Sequence, residues 1–451
     1  MKVAKFGGSS LSSAGQIKKV AKIIQDDPNI RHIVVSAPGK RDDADTKVTD
    51  LLIALFTNHR TGLDTQPAIE QILQRYAAII DELGVNSGLL EKFEATLKDH
   101  LANIEDPERL LDALKSCGED FNAQVIAEYF NSIGMKSRYW SPREVGILVS
   151  DEPSNARLLP ESYEAIAKLK DTDTVNVIPG FFGYSKDGDI VTFSRGGSDI
   201  TGAIIARGVG AELYENFTDQ NYIYSAHPGI VKDPHPIEEI TYREMRELSY
   251  SGFSIFHDEA LEPLYEVKIP IMIKNTNDPK AGGTRIVSER GSVDEYPVIG
   301  VSGDDGFLSI TIKQYLLNRE VGYSRRFLQI FEDFGISIEH MPTGIDDISV
   351  LMRSDQFEGN NKFEEIMEVL ETQLQPEWLH VEKDLAMVVV VGEGMRNAIG
   401  TAYRATKAFA ENNISLQMIN QGASEISMFF AIQAKDLDTA IHSLYHTYFD
   451  R

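Results

Sequence analysis

The chain holds a single cysteine, Cys117, in 451 residues. One thiol excludes an intramolecular disulfide and any multi-cysteine metal site. Basic side chains are the next shortage: 44 Lys and Arg stand against 69 Asp and Glu, a formal net charge of −25. So acidic a surface argues against nucleic acid or an anionic membrane as the main partner, because both demand a basic face. An anionic substrate must then be met by locally placed lysines, arginines and backbone amides. No apolar run is long enough for a membrane span. The start, Met1-Lys2-Val3-Ala4-Lys5-Phe6-Gly7-Gly8, lacks the apolar stretch of a signal peptide, so a cytoplasmic location is expected. His227, His235 and His257 are dispersed, with no second histidine or cysteine at ligand spacing, so no resident metal site is expected. The remaining composition, 42% hydrophobic and 25% charged, is that of a globular chain long enough for two or three domains.

What is present starts at residue 5. Lys5-Phe6-Gly7-Gly8-Ser9-Ser10 follows a short apolar start and precedes an amphipathic run over 16–24. This reads as strand, glycine turn, helix. Adjacent glycines let backbone N–H groups approach a phosphate closely. The helix N-terminus behind them favours negative charge. A lysine just before the turn can place a point charge on a transferring phosphoryl group. An ordinary strand-to-helix turn looks the same in isolation. A second box, Ser194-Arg195-Gly196-Gly197-Ser198-Asp199, followed by a helical run over 200–207, argues for the phosphate reading.

The first part of the chain alternates strands and helices. Ile33-Val34-Val35-Ser36-Ala37 reads as a buried strand running into a small-residue loop. Residues 67–133 carry apolar side chains at helical spacing, and further strands are expected at 145–149, 174–178, 189–193 and 212–216. Lys186-Asp187-Gly188 turns a hairpin over 181–193. Alternation of this kind predicts an α/β fold, a three-layer sandwich about a mainly parallel sheet, with ligands at the carboxyl ends of its strands. Both glycine boxes are expected at such ends. The catalytic domain is placed at 1–287, a linker at 288–297 and a regulatory region at 298–451.

That last region repeats itself. Phe331-Glu332-Asp333-Phe334-Gly335-Ile336-Ser337-Ile338 matches Phe409-Ala410-Glu411-Asn412-Asn413-Ile414-Ser415-Leu416 at an offset of 78 residues. The same offset pairs Gly322 with Gly400, Gly344 with Gly422, and Ile348-Ser349 with Ile426-Ser427. Two ferredoxin-like βαββαβ units are expected, at about 306–380 and 384–451, with interleaving left open. A duplicated unit of this kind suggests a ligand-sensing module; a bare oligomer interface is the plainer alternative.

Around the boxes, Arg195 can clamp a carboxylate with its planar fork. Asp199 opens a helix, where an acidic residue also serves the dipole. Ser116-Cys117-Gly118-Glu119 interrupts a helical stretch, either as a simple break or as a close approach to a ligand. Thr218-Asp219 follows a strand and can frame a nucleotide or serve as a turn. With no Ser/His/Asp or Cys/His arrangement in view, these residues favour positioning and charge neutralisation, which is what phosphoryl transfer needs.

Taken together, residues 5–10, 116–119, Pro179-Gly180-Phe181-Phe182-Gly183, 194–199 and Thr218-Asp219 resemble the aspartokinases of the amino-acid kinase superfamily, and the paired repeats look like ACT domains. The resemblance implies ATP-dependent phosphorylation of the β-carboxylate of L-aspartate, with ATP as co-substrate carrying Mg²⁺. It implies Lys5 and Asp199 as the catalytic pair, the first stabilising the phosphoryl group and the second organising it. Gly7, Gly8 and Ser9 would line the phosphoryl path. Ser36 and Thr49 would touch the substrate, Glu119 its α-ammonium and Arg195 its α-carboxylate, with Phe181 and Ser198 beside it. Thr218, Asp219 and Tyr224 would contact the nucleotide. An amino-acid effector, L-lysine, would bind Gly322, Tyr323, Ser324, Ser337, Ile338 and Glu339, and the ACT domains would join a homodimer or tetramer.

Two departures stand out. Relatives carry Tyr-Thr-Thr-Asp-Pro-Arg where this chain has Tyr224-Ser225-Ala226-His227-Pro228-Gly229, and Gly-Ala-Lys-Val-Leu-His where it has Gly252-Phe253-Ser254-Ile255-Phe256-His257. Two basic residues near the phosphates are thus replaced, and Lys232 or Lys274 are the candidates to compensate. The competing readings are a sister kinase acting on glutamate or another carboxylate, and an amino-acid sensor without turnover. Lys5 and Asp199 are expected to line an open cleft.

Overall fold

The computed structural model describes residues 1–85, 88–194, 196–252, 256, 258–291, 297–422 and 424–450. The chain divides into two compact units. The first holds Met1–Ile223, Pro236–Arg246 and Ser254–Arg290; the second holds Tyr224–His235, Glu247–Phe253 and Gly291–Arg451.

The first unit is built on an eight-stranded sheet. Lys2–Phe6 lies at its middle, parallel to Ile30–Val35 on one side and Leu213–Thr218 on the other. Val175–Pro179 and Ser137–Tyr139 extend one flank; Ile271–Asn275, Thr284–Val287 and Glu239–Thr241 extend the other. Ile271–Asn275 and Thr284–Val287 pair antiparallel, and every other neighbouring pair is parallel. The central strand reads Val3, Ala4, Phe6, all fully buried, because helices cover both faces of such a sheet. Phe6 stacks on Phe217 of the neighbouring strand with centroids 4.7 Å apart. The helical stretch resolves into Gln66–Leu83, Leu89–Asn103 and Pro107–Ser132, which meet through Tyr76, Phe93 and Phe121.

Three expectations change. Residues 145–149 form no strand: Ser141 and Glu144 make a reciprocal capping box, Pro142 starts a short helix Pro142–Val145, and Gly146 ends it at φ 85°. Local capping outweighs the apolar alternation there. The hairpin forms as expected, Phe182–Tyr184 against Ile190–Thr192, but it is a separate two-stranded sheet. The second glycine box therefore follows a hairpin strand and not a strand of the parallel sheet. Gly118 does not break its helix, which runs unbroken from Pro107 to Ser132.

The second unit is a five-stranded antiparallel sheet in the order Asp347–Arg353, Gly300–Lys313, Trp378–Val391, Ser427–Gln433, Met418–Gln421. Its two long strands serve both repeats. One core gathers Leu308, Ile310 and Ile312 with Phe327, Phe331 and Val350. The other gathers Val301 with Val388, Val390, Phe409 and Phe430. The N-terminal half of Gly300–Lys313 thus completes the second repeat and its C-terminal half the first. Backbone geometry repeats with the sequence: Gly322 and Gly400 cap helices Tyr323–Asp333 and Thr401–Glu411 at φ 80° and 84°, and Gly335 and Asn413 follow them at 64° and 56°. The offset then lengthens. Thr343 bridges Ile348 where Gln421 pairs Met428, so Ile348 corresponds to Met428 and not to Ile426.

Two early segments join this second core because their backbone groups are satisfied there. Val301 donates its N–H to the Ser225 carbonyl, His235 donates its N–H to the Tyr445 hydroxyl, and Ser302 Oγ donates to the Ser251 carbonyl. Among the described residues, no helix is long and apolar enough to cross a membrane.

Candidate functional site

The carboxyl end of the central strand is where two loops meet. Gly39 donates its N–H to the Gly8 carbonyl at 2.9 Å. A Cβ on Gly39 would lie 2.6 Å from the Gly8 carbonyl carbon, and one on Gly8 3.1 Å from the Ala37 carbonyl oxygen. Only paired glycines permit that approach. Arg75, buried in helix Gln66–Leu83, braces both loops by donating to the Ser12 and Gly39 carbonyls at 2.8 Å. Past Gly8 the chain first makes a 3₁₀ turn, Ser9–Leu11, and the helix proper begins at Ala14 behind the Ser13 cap. Ser9 is exposed, while Ser10 is buried and shares a 2.7 Å hydrogen bond with Thr276.

Lys5 folds back over this turn. Its Nζ is 2.6 Å from Asp199 Oδ1 and 3.5 Å from where a Gly7 Cβ would stand. Asn216 Nδ2 donates to the same Asp199 oxygen at 2.6 Å, and Tyr214 donates to the Asp199 backbone carbonyl. The two glycine boxes are thus joined by one ion pair. Lys5 is only 8% exposed, so the pair lies in a recess and not in the open cleft expected.

Glu119 enters from the long helix. Gly118 allows it: a Cβ there would come 2.8 Å from Ala37 Cβ, so the glycine seats the helix against the strand-end loop. Val48, at the start of helix Val48–Arg60, packs at the same point, which brings in the half-buried Thr49. Burial pushes the Glu119 carboxyl up to about 8, against the Ala37 N–H, the Lys5 charge and the Ser198 hydroxyl, which favour its ionised form. Its Oε2 has no hydrogen-bond partner among the described residues, and neither has Oδ1 of Asn122 one turn on. Asn122 Nδ2 donates to the Ser36 carbonyl at 2.7 Å. A buried carboxyl oxygen without a donor is able to accept one from a cationic group.

Phe181 stands at φ 78°, a left-handed conformation that costs a non-glycine residue on the order of 1–3 kcal/mol. It is held by Thr201 Oγ1, which accepts its N–H at 3.0 Å, and by the Phe193 N–H, which donates to its carbonyl at 2.8 Å. A Cβ on Gly197 would lie 2.7 Å from the Phe181 ring, and one on Gly180 2.7 Å from Ser198 Oγ. Phe181, Ser198, Glu119, Ser36 and Lys5 therefore share one neighbourhood. Arg195 lies outside the described residues.

On the nucleotide side, Thr218 ends its strand and donates to Asp219 Oδ1 at 3.2 Å, and Asn275 Nδ2 donates to the Asp219 carbonyl. Tyr224 belongs to the second compact unit. Of the proposed substitutes for the missing basic residues, Lys274 Nζ sits 3.6 Å from Glu215 and 5.4 Å from the Phe217 ring centroid, and Lys232 is in the second unit. Phe253, Ser254, Ile255 and His257 lie outside the described residues.

The expected effector residues all fall in the first repeat. Tyr323 is buried with a hydroxyl that has no partner among the described residues. Ser324 is exposed; Ile338 packs on the core; Ser337 exchanges hydrogen bonds with the Gln356 amide. Burial raises the Glu339 carboxyl above its usual range, against the Arg353 charge.

Sequence reasoning missed Asn216, Arg75, Asn122, Asp112 and Lys115. Three of these had a signal. Asp112, Lys115, Glu119 and Asn122 recur at three- and four-residue spacing, a polar stripe on one helix face where an apolar one is the rule.

A model of the amino acid kinase family matches residues 1–275, and an ACT domain model matches residues 388–448. Aspartokinase 3 of Bacillus subtilis is 48% identical over 450 residues, spanning 100% of this chain and 99% of that one. The crystal structure of Clostridium acetobutylicum aspartate kinase superposes with a TM-score of 0.86 at 36% identity, covering 99% of this chain and 100% of the other. E. coli aspartokinase III, at 22% identity, shares the fold; its complex with aspartate and ADP gives a TM-score of 0.79 and its complex with lysine and aspartate 0.76, each over 100% of this chain and at least 99% of the other.

Proposed function

Because the chain belongs to the amino acid kinase family, among its aspartokinases, we infer that it transfers the terminal phosphoryl group of ATP to the β-carboxylate of L-aspartate, giving 4-phospho-L-aspartate. This is the entry step of the lysine, threonine and methionine branch of amino-acid synthesis. The observation that carries the reading is the ion pair between Lys5 and Asp199, which unites the two glycine boxes in one recess. A carboxylate nucleophile is already ionised at neutral pH, so no general base is needed. Rate comes from alignment and from cancelling repulsion between two anions. Lys5 supplies the fixed positive charge, the turn at Gly8 and Ser9 supplies N–H donors while the Gly7 N–H is held by the Phe217 carbonyl, and Asp199 with Asn216 keeps the ammonium aimed. Glu119 takes the substrate ammonium on its free oxygen, and Arg195 takes the α-carboxylate beside Phe181, Ser198, Ser36 and Thr49. Thr218 and Asp219 meet the nucleotide. Mg²⁺ enters as part of the nucleotide, since a phosphate-bound ion needs few protein ligands, and among the described residues no group of three or more His, Cys, Asp or Glu could hold one.

Hydroxylamine trapping of the acyl phosphate checks this: hydroxamate forms with ATP plus aspartate and not with glutamate. Product with glutamate alone would point to the sister kinase, and none with either acid to a sensor.

L-lysine is the effector we assign to Gly322, Tyr323, Ser324, Ser337, Ile338 and Glu339. The free Tyr323 hydroxyl and the half-buried Glu339 carboxyl support an amino-acid ligand there. Val321 and Ile399, at matching positions of the two repeats, are almost wholly exposed, which supports pairing with a second copy through the ACT domains, in a cytoplasmic homodimer or tetramer. Saturating lysine is expected to lower turnover and raise the melting temperature; if neither moves, lysine is not the effector.

A further inference from the structure

Ahead of Glu119 on the same helix lies a buried ion pair that no step above uses. Asp112 is 0% exposed. Its Oδ2 accepts the N–H groups of Ser154 at 2.7 Å and Thr192 at 2.8 Å. Its Oδ1 accepts the hydroxyls of the same two residues at 2.7 and 2.8 Å, and the Lys115 ammonium at 2.9 Å. These donors outweigh burial and hold the carboxyl below its usual range. Lys115 donates further to Ser154 Oγ at 2.8 Å and Thr192 Oγ1 at 3.2 Å, so its three protons are all engaged. Its Nζ then stands 5.6 Å from the centroid of the Phe181 ring.

A buried ion pair is rarely the most stable filling for its space, since well-packed apolar groups of the same volume do as well. Here its geometry points elsewhere. Ser154 and Phe181 are both non-glycine residues at positive φ, 60° and 78°. Such residues keep that conformation only where their surroundings over-determine it. Thr192 is the register partner of Phe182, the residue after Phe181. Asp112 therefore anchors the hairpin through Thr192, while Lys115 meets the Phe181 ring by cation–π contact. Both act from the helix face that carries Glu119, two turns on from Asp112 and one from Lys115.

We propose that Lys115, locked by Asp112, is a positioning residue that holds Phe181 at a fixed distance from Glu119 and so sets the acidic amino-acid pocket. The inference rests on the reading that Phe181 and Glu119 line that pocket. Lys115→Met retains length and leaves Asp112 with its four other donors, so the variant folds, as a melting curve will record. It raises the KM for aspartate about tenfold, with the KM for ATP within about twofold and kcat within about threefold of the parent. Lys115→Arg restores the charge and brings the aspartate KM back to within about threefold. Because Lys115 acts through Phe181, adding Lys115→Met to Phe181→Leu raises that KM by no more than about twofold further, as coupled neighbours do. An unchanged aspartate KM in folded Lys115→Met, an equal rise for both substrates, or a full multiplicative effect on top of Phe181→Leu overturns the proposal. Glu119→Gln, measured beside it, separates the two claims: if its aspartate KM rises while that of Lys115→Met does not, the pocket stands and the positioning role falls.

Discussion

Lys5→Met is expected to lower kcat by about 10³-fold, the scale on which removal of one preorganised charge-stabilising donor acts. The reason is geometric. The ammonium is fixed over the glycine turn by Asp199 at 2.6 Å, and the carboxylate is itself fixed by Asn216. No reorganisation is needed when charge develops on the phosphoryl oxygens. Methionine fills the same space without charge. Lys5→Arg gives no rescue, because a planar fork cannot replace a point charge in a recess shaped for one. Since the pair is mostly buried, the variant also leaves the Asp199 carboxylate without its countercharge, with only Asn216 donating to it, and a stability loss approaching about 3 kcal/mol accompanies the loss of rate. Steady-state kinetics on protein shown folded by its melting curve decide the matter: turnover within about tenfold of the parent would remove Lys5 from the phosphoryl path. Asp199→Asn keeps the shape and loses the charge, and its kcat falls between that of Lys5→Met and that of the parent.

The second large effect belongs to Glu119 and is read through pH. In the folded protein without substrate its carboxyl sits at about 8 against an ordinary 4.5, burial being the main cause. Below that value the site holds a neutral acid, which binds an ammonium poorly. The KM for aspartate therefore falls as pH rises through about 8, and aspartate binding at neutral pH expels a proton. Calorimetry in buffers of different ionisation enthalpy counts that proton directly. Glu119→Gln binds no proton and loses the dependence; its KM rises about 30-fold, the value of a hydrogen bond to a charged group. Stability moves oppositely. From about 4.5 to 8 the folded protein keeps a proton that the unfolded chain has released. The group's contribution is full below the lower value and is lost as pH climbs through the upper one. The melting temperature of Glu119→Gln, relative to the parent without substrate, should thus climb from acid to alkaline pH. A flat difference, together with an unchanged aspartate KM, would strip Glu119 of its role.

Much of this site can be read in the sequence where backbone chemistry restricts the residue. Gly8 and Gly180 mark close approaches that a Cβ would obstruct, and Gly322 and Gly400 mark left-handed helix caps. Their positions follow from local sterics, so a linear pattern carries them. Gly118 shows the limit: the same absence of Cβ signals a helix break or a helix contact, and only the neighbour, Ala37, distinguishes them. The strand expected at 145–149 does not form because the Ser141–Glu144 capping box turns 142–145 into a helix, and beyond it Leu148 and Val149 make only isolated bridges. The repeat offset held through Gly344 and then slipped, because two extra residues enter the second repeat's turn and leave Ile348 opposite Met428.

The chain by itself determined its class, its two glycine boxes, its duplicated tail and the acidic balance that forces any anion to be met by local donors. Those are properties of spacing, steric permission and charge count, which survive in one dimension. Tertiary structure alone decided which groups meet: that Lys5 spends its charge on Asp199, that Glu119 is buried with one oxygen unpartnered among the described residues, and that Lys115, paired with Asp112, lies against the Phe181 ring. Burial and distance between remote segments set protonation and aim, and neither is a function of local sequence.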